Sequence, residues 1–124
     1  MNFEKILQEI LADCPGALAL ALMEADGIPI SQVQAATGPS DPLGGDIGAA
    51  GVEFSRIIGD TAKAASSLGG GRVREMVVSL ERMTLIFHHV EEDILVVCAL
   101  SPEANLGKAR YLIRRSILAI RQEL

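Results

Sequence analysis

The run of seven residues from Ala17 to Met23, set between two turn signals, constrains this chain more than any other feature. Ala17-Leu18-Ala19-Leu20-Ala21-Leu22-Met23 follows Pro15-Gly16 and runs into Glu24-Ala25-Asp26-Gly27. Alanine and leucine favour helices in isolation. Here the alternation has the period of two that belongs to a strand. The run starts behind a helix-breaking pair, and Asp-Gly is a strong hairpin signal. The segment is therefore read as a strand with Leu18, Leu20 and Leu22 on one face and Ala17, Ala19 and Ala21 on the other. Ile28 to Val33 is its return strand. Pro29 has no N–H for a ladder, so that strand belongs at a sheet edge or begins there.

The remaining elements follow from periodicity. Phe3, Ile6, Leu7, Ile10 and Cys14 recur at helical spacing, with Glu4, Lys5, Glu9 and Asp13 between them, and the helix ends before Pro15-Gly16. Ala35 to Gly45 reads as a loop through Thr37-Gly38-Pro39-Ser40-Asp41-Pro42 and Gly44-Gly45. Asp46 then caps a helix that carries Ile47, Ala50, Phe54, Ile58, Thr61, Ala65 and Leu68 on one side and stops at Gly69-Gly70-Gly71. Three strands come next, over 72–80, 83–90 and 94–100, joined by turns at Glu81-Arg82 and Glu91-Glu92-Asp93. The last is apolar throughout, as a strand covered on both faces should be. Asn105 caps a final helix with Leu106, Ala109, Ile113, Ile117, Ile120 and Leu124 on one face. The order α-β-β-α-β-β-β-α with short strand-to-strand links predicts an α/β (α+β) fold, an antiparallel sheet covered by helices. The 124 residues suit a single domain, 1–124.

Composition bears mainly on what the chain is not expected to meet. No apolar run is long enough to cross a membrane, the first residues do not resemble a signal peptide, and two cysteines are too few for a disulfide scaffold. A cytoplasmic protein is expected. The formal charge of −5 and the absence of tryptophan argue against nucleic acid as a partner. The charge is uneven, however. From Leu106 onward Lys108, Arg110, Arg114, Arg115 and Arg121 stand against Glu123 alone. A solvated face is the simplest reading of that helix, and an acidic partner or a lipid surface is the other.

Each candidate for chemistry fails on geometry. His88 and His89 are adjacent on a strand, point to opposite faces and cannot share a metal. Gly69-Gly70-Gly71-Arg72 runs from helix to strand, the reverse of a phosphate cradle. Gly44-Gly45-Asp46 does precede a helix, but Asp46 at the cap repels an anion. Cys14 and Cys98 have no evident base beside them, and no carboxylate pair is placed for acid–base work. No enzyme activity, cofactor or metal is expected.

The middle helix says more. Opposite its apolar stripe stand Ala49, Val52, Arg56, Gly59, Lys63 and Ser66. A glycine inside a helix costs about 1 kcal/mol relative to alanine, yet Gly48, Gly51 and Gly59 fall in or near this one. Close packing on the sheet accounts for such a residue at Gly51, and contact with a second protein accounts for the Gly59 side. The strand beginning at Val73 adds a hazard, because an uncovered apolar edge invites pairing. Pairing with its own copy would remove it.

Taken in order, four segments resemble the Roadblock/dynein-light-chain family: Leu7–Gly16 with the alternating strand, Asp26-Gly27-Ile28-Pro29-Ile30, the small-residue helix Phe54–Leu68, and Asn105-Leu106-Gly107-Lys108-Ala109-Arg110. The resemblance spans nearly the whole chain. It implies a five-stranded antiparallel, profilin-like sheet with the middle helix on one face and the first and last helices on the other. It further implies dimers in which third strands pair edge to edge and middle helices lie side by side, with Arg74, Met76, Val77 and Val78 at the interface. The implied task is binding a small Ras-like GTPase as regulator or scaffold, as in the gliding-motility protein B type, which activates its GTPase. The contact candidates are Val52, Arg56, Gly59, Lys63 and Ser66. The rival reading is a profilin- or PAS-like module holding a small molecule between sheet and helix.

Overall fold

A computed structural model describes residues 2–35, 43 and 46–124. Its elements are α1 (Phe3–Asp13), β1 (Ala17–Glu24), β2 (Pro29–Gln34), α2 (Ile47–Ser67), β3 (Glu75–Ser79), β4 (Thr84–Glu91), β5 (Ile94–Leu100) and α3 (Leu106–Glu123). The expected order of elements is found. Apart from Ala35 and Leu43, the loop read over 35–45 lies outside the described residues, as do both glycines of the Gly44-Gly45-Asp46 motif.

The five strands form one antiparallel sheet in the order β2-β1-β5-β4-β3. Apolar content sorts them. β5 is buried along nearly its whole length and lies at the centre, between β1 and β4. β2, which begins at Pro29 and is mostly exposed, takes one edge, and the short β3 takes the other. Asp26 and Gly27 make the β1–β2 turn. The Asp26 side chain accepts from Ile28 N at 3.0 Å, and Gly27 adopts φ +96°, a left-handed conformation that side chains resist.

Two apolar layers flank the sheet. On one side α1 and α3 cover Leu20, Leu22, Ile86, Val96 and Cys98, with Ile6, Ile10, Leu112 and Ile113 among the helix residues. On the other, α2 sets Ile47, Ala50 and Ile58 against Ala19, Ala21, Met23, Phe87 and Val97. Phe54 stacks at a tilt on Phe87, 5.2 Å between centroids. The faces of β1 differ from the expected ones at its start. Ala17 joins the α1/α3 layer with Leu20 and Leu22, whereas Leu18 packs toward α2. A register irregularity between Ala17 and Ala19 against β5 causes the exchange, since one extra residue turns every preceding side chain over.

The caps expected at Asp46, Asn105 and Gly69 are found, and Asn2 adds one on α1. Asn2, Asp46 and Asn105 each accept from the backbone N–H three residues on, and Gly69, at φ +68°, ends α2. Three expectations need correction. β3 begins at Glu75, so residues 72–74 precede it as a connector, tied to the sheet by His89 N donating to Arg74 O at 2.9 Å. Leu124 lies past α3 and is exposed. Leu68, read as core-facing, is 85% exposed. α2 has no buried residue after Ile58, so its last nine helical residues, about 13 Å of helix, carry no buried position.

Gly51 and Gly59 prove to have different reasons for being glycine. A methyl group on Gly51 would collide with the sulfur of the buried Met23, so this glycine lets α2 approach β1. A methyl group on Gly59 would meet no atom of the described residues within 4 Å. Gly59→Ala should therefore stabilise the fold by about 0.5–1 kcal/mol, the helix-propensity gain. Gly51→Ala should lose that gain to overpacking and destabilise by about 1 kcal/mol. Urea unfolding midpoints of the two variants give the comparison.

Candidate functional site

The outward side of α2 holds every contact residue read from the sequence. Val52, Arg56, Gly59, Lys63 and Ser66 are all exposed and fall along one strip. The strip starts beside the β1–β2 turn, where Gly27 abuts Val52, and runs to the helix end. Its one internal ion pair, Arg56 with Asp60 at 3.9 Å, is solvent-exposed and contributes little.

The structure adds a second strip that the sequence reading does not contain. Ile57, Thr61, Ala64 and Leu68 recur at intervals of four, three and four, which places them on one flank of α2. Ile57 is 48% exposed. Thr61 Oγ1 lies 3.9 Å from Met76 Sδ, so this flank overlies the edge strand β3. The spacing is legible in the residues, but the core stripe claims Leu68 and leaves Ile57 out. Of the residues expected at a dimer interface, Met76 and Val78 pack toward α2, Val77 is partly exposed, and Arg74 is exposed just before the strand. Among the described residues, the outer edge of β3 and an exposed apolar helix flank are thus neighbours.

The other face of β3 carries a polar cluster that sequence spacing does not reveal. Glu75 pairs across the sheet with His88, its carboxylate 3.4 Å from His88 Nδ1 and 2.7 Å from Arg110 Nη2 of α3. The Glu75 and His88 side chains are only 14% and 13% exposed. Burial alone would raise the Glu75 carboxyl, but hydrogen bonds from Arg110 and His88 outweigh it and hold the group below its usual value. Burial lowers the His88 imidazole; Glu75 opposes this without overcoming it, and Arg114 and His89 add to the lowering.

The thiols are poor nucleophiles. Burial pushes Cys98 and Cys14 upward, with Lys108 only partly opposing at Cys14, and neither is disulfide-bonded. Among the described residues no group of three or more His, Cys, Asp or Glu side chains could hold a metal ion. No helix of the described residues is long and apolar enough to cross a membrane. Apolar side chains fill the contact between sheet and α2, so this layer lends no support to a small-molecule reading.

Among the described residues, a five-stranded antiparallel sheet with α2 on one face and α1 and α3 on the other defines an α+β module of the Roadblock type. The chain belongs to the Roadblock/LC7 family. MglC from Myxococcus xanthus is 31% identical over the whole of both chains, with a TM-score of 0.70. The gliding protein MglB from Thermus thermophilus is 25% identical over 96% of this chain and 85% of that one, with a TM-score of 0.82. A Roadblock/LC7 domain from Streptomyces avermitilis, 18% identical over 98% and 97% of the two chains, shares the fold at a TM-score of 0.81. No family model matches the sequence, and no curated protein does.

The cluster makes stability pH-dependent in a defined direction. Both depressed groups bind their protons less readily in the folded chain than in the unfolded one, so acid favours unfolding. The His88 contribution is present above its ordinary value of 6.5 and is lost as pH falls through the folded value. That of Glu75 is lost later, below its ordinary 4.5. Thermal midpoints should drop by a few degrees between about pH 7.5 and 5.5, and His88→Gln should flatten most of that drop.

Proposed function

We propose that this chain is a dimeric regulator or scaffold that binds a small Ras-like GTPase. The observation that carries the reading is the uncovered second half of α2, lying beside the unpaired edge of β3. No described residue requires Gly59 to be glycine, and among the described residues Ile57 and Leu68 are exposed. A second copy that paired its β3 with this one, through Arg74, Met76, Val77 and Val78, would cover the edge and the Ile57–Leu68 flank together. The two outward strips would then lie on one platform, where Val52, Arg56, Gly59, Lys63 and Ser66 meet the GTPase. Small residues on that strip favour close approach of another backbone.

The likeness to MglC and to the gliding protein MglB supports a role of this kind in motility or polarity, in the cytoplasm. The chain itself supplies no catalytic group in this reading. Any acceleration of GTP hydrolysis would come from positioning the switch loops of the partner, with Arg56, exposed and only loosely paired with Asp60, the side chain to test.

Two measurements separate the parts of this proposal. Light scattering at micromolar concentration should give twice the chain mass, and Val77→Lys should return a folded monomer, because two lysines would then face each other across the symmetric strands. Gly59→Arg should leave the dimer and its circular dichroism unchanged while reducing capture of the GTPase at least about tenfold, the loss expected when a bulky charge enters a close-packed contact. Undiminished capture by that variant would refute the assigned face.

A further inference from the structure

An open groove runs along the connector after α2, the tail of β4 and the basic side of α3. Five of the eleven lysines and arginines of this acidic chain line it: Arg72, Arg74, Arg110, Arg114 and Arg121. Their charge is only partly cancelled, since five arginines stand against Glu75, Glu91 and Glu92 in the lining. Of the acids that also line the groove, Glu75 is held by Arg110 and His88, and Glu91 and Glu92 form no ion pair with the arginines. Arg72, Arg74 and Arg114 are exposed and have no ion-pair partner among the described residues. Arg110 Nε and His89 Nε2 lack hydrogen-bond partners as well. The guanidinium groups of the groove outnumber its carboxylates.

Its backbone edge is already engaged. β3 starts opposite His88, so β4 continues past it, but the Val90 carbonyl accepts from Arg121 Nε at 2.8 Å. An arriving segment would meet guanidinium groups, not a vacant strand edge. The arginines come from two separate elements, Arg72 and Arg74 from the connector and Arg110, Arg114 and Arg121 from α3, and they are strung along an open trough, unlike the converging donors of a single-phosphate site. No exposed large apolar side chain lines the groove to enter a bilayer.

We infer that this groove binds an extended acidic peptide segment of a partner protein. The site adjoins the end of the outward strip of α2 at Ser66 and the proposed β3 contact at Arg74, but Arg72 and Arg114, which carry its test, belong to neither surface, and it does not rest on the GTPase reading. Arg114 and Arg115 provide an internal control. They are neighbours of equal charge on one helix, but Arg114 lines the groove, whereas Arg115 stacks on Tyr111 and pairs with Asp13 of α1 at 3.8 Å.

The test is fluorescence anisotropy with a labelled oligoglutamate peptide of about ten residues, at a length that spans several charges. Saturable binding is expected, weakening about tenfold or more as salt rises from about 0.05 to 0.3 M. Arg114→Glu should cost about tenfold in affinity, Arg72→Glu on its separate element should do the same, and Arg115→Glu should stay within about twofold. Circular dichroism and thermal midpoints establish that each variant is folded. Equal losses in the Arg114 and Arg115 variants, absence of binding to the wild-type chain, or binding to phosphatidylserine vesicles with none to the peptide would each overturn the inference.

Discussion

The antiparallel pairing of β1 with β5 holds the fold together. It joins a hairpin from the first part of the chain to a three-stranded meander from the last part, with Leu20 opposite Cys98 and Leu22 opposite Val96. Without it there would be two small sheets, each with one face too narrow to bury a helix. With it, β5 has neighbours on both sides and apolar cover on both faces, and nearly every side chain along it is removed from water. Both helix layers are built outward from this pair. The small alanines of β1 and the glycine at 51 let α2 lie close on one side, while the leucines fill the space under α1 and α3 on the other.

Much of this is legible in the residues. The wholly apolar run 94–100 foretells a central strand, Pro29 foretells an edge, and Asp26-Gly27, Asp46, Asn105 and Gly69 mark their turns and caps. Each of those signals is local, set by the backbone preferences of one or two residues. What escapes a sequence reading is set by distant partners. The exchange of faces at Ala17 and Leu18 depends on register against β5, which no local pattern reports. Leu68 fits the core period of α2 but lies beyond the part of the helix that buries side chains. Glu75, His88 and Arg110 come from three elements, and only the folded sheet brings them into contact. The outward strip of α2 is legible because it requires only helical spacing, whereas the groove requires the path of the connector between Gly69 and Arg74.

The two layers differ in how complete they are. The α1/α3 layer holds most of the large buried residues, and α3 is further fixed to the sheet through Arg110 on Glu75 and Arg121 on Val90. The α2 layer is anchored at its N-terminal half alone. Such an arrangement divides the molecule into a self-sufficient side and a side whose apolar surface is left uncovered. Among the described residues the edge of β3 and the Ile57–Leu68 flank lie together on the second side, while the basic trough takes three of its five arginines from α3 on the first.

The separation of β1 and β5 along the chain also governs how the protein is made. As the chain leaves the ribosome, the β1–β2 hairpin emerges with two apolar faces and no neighbour for its inner edge, and it must wait until the residues of β5 have followed. During that interval the alternating leucines are available to any other nascent strand. Pairing β1 with β5 closes a long loop and carries an entropic cost that the hairpin does not, so the inner edge of β1 is the last of its two edges to find a partner during synthesis.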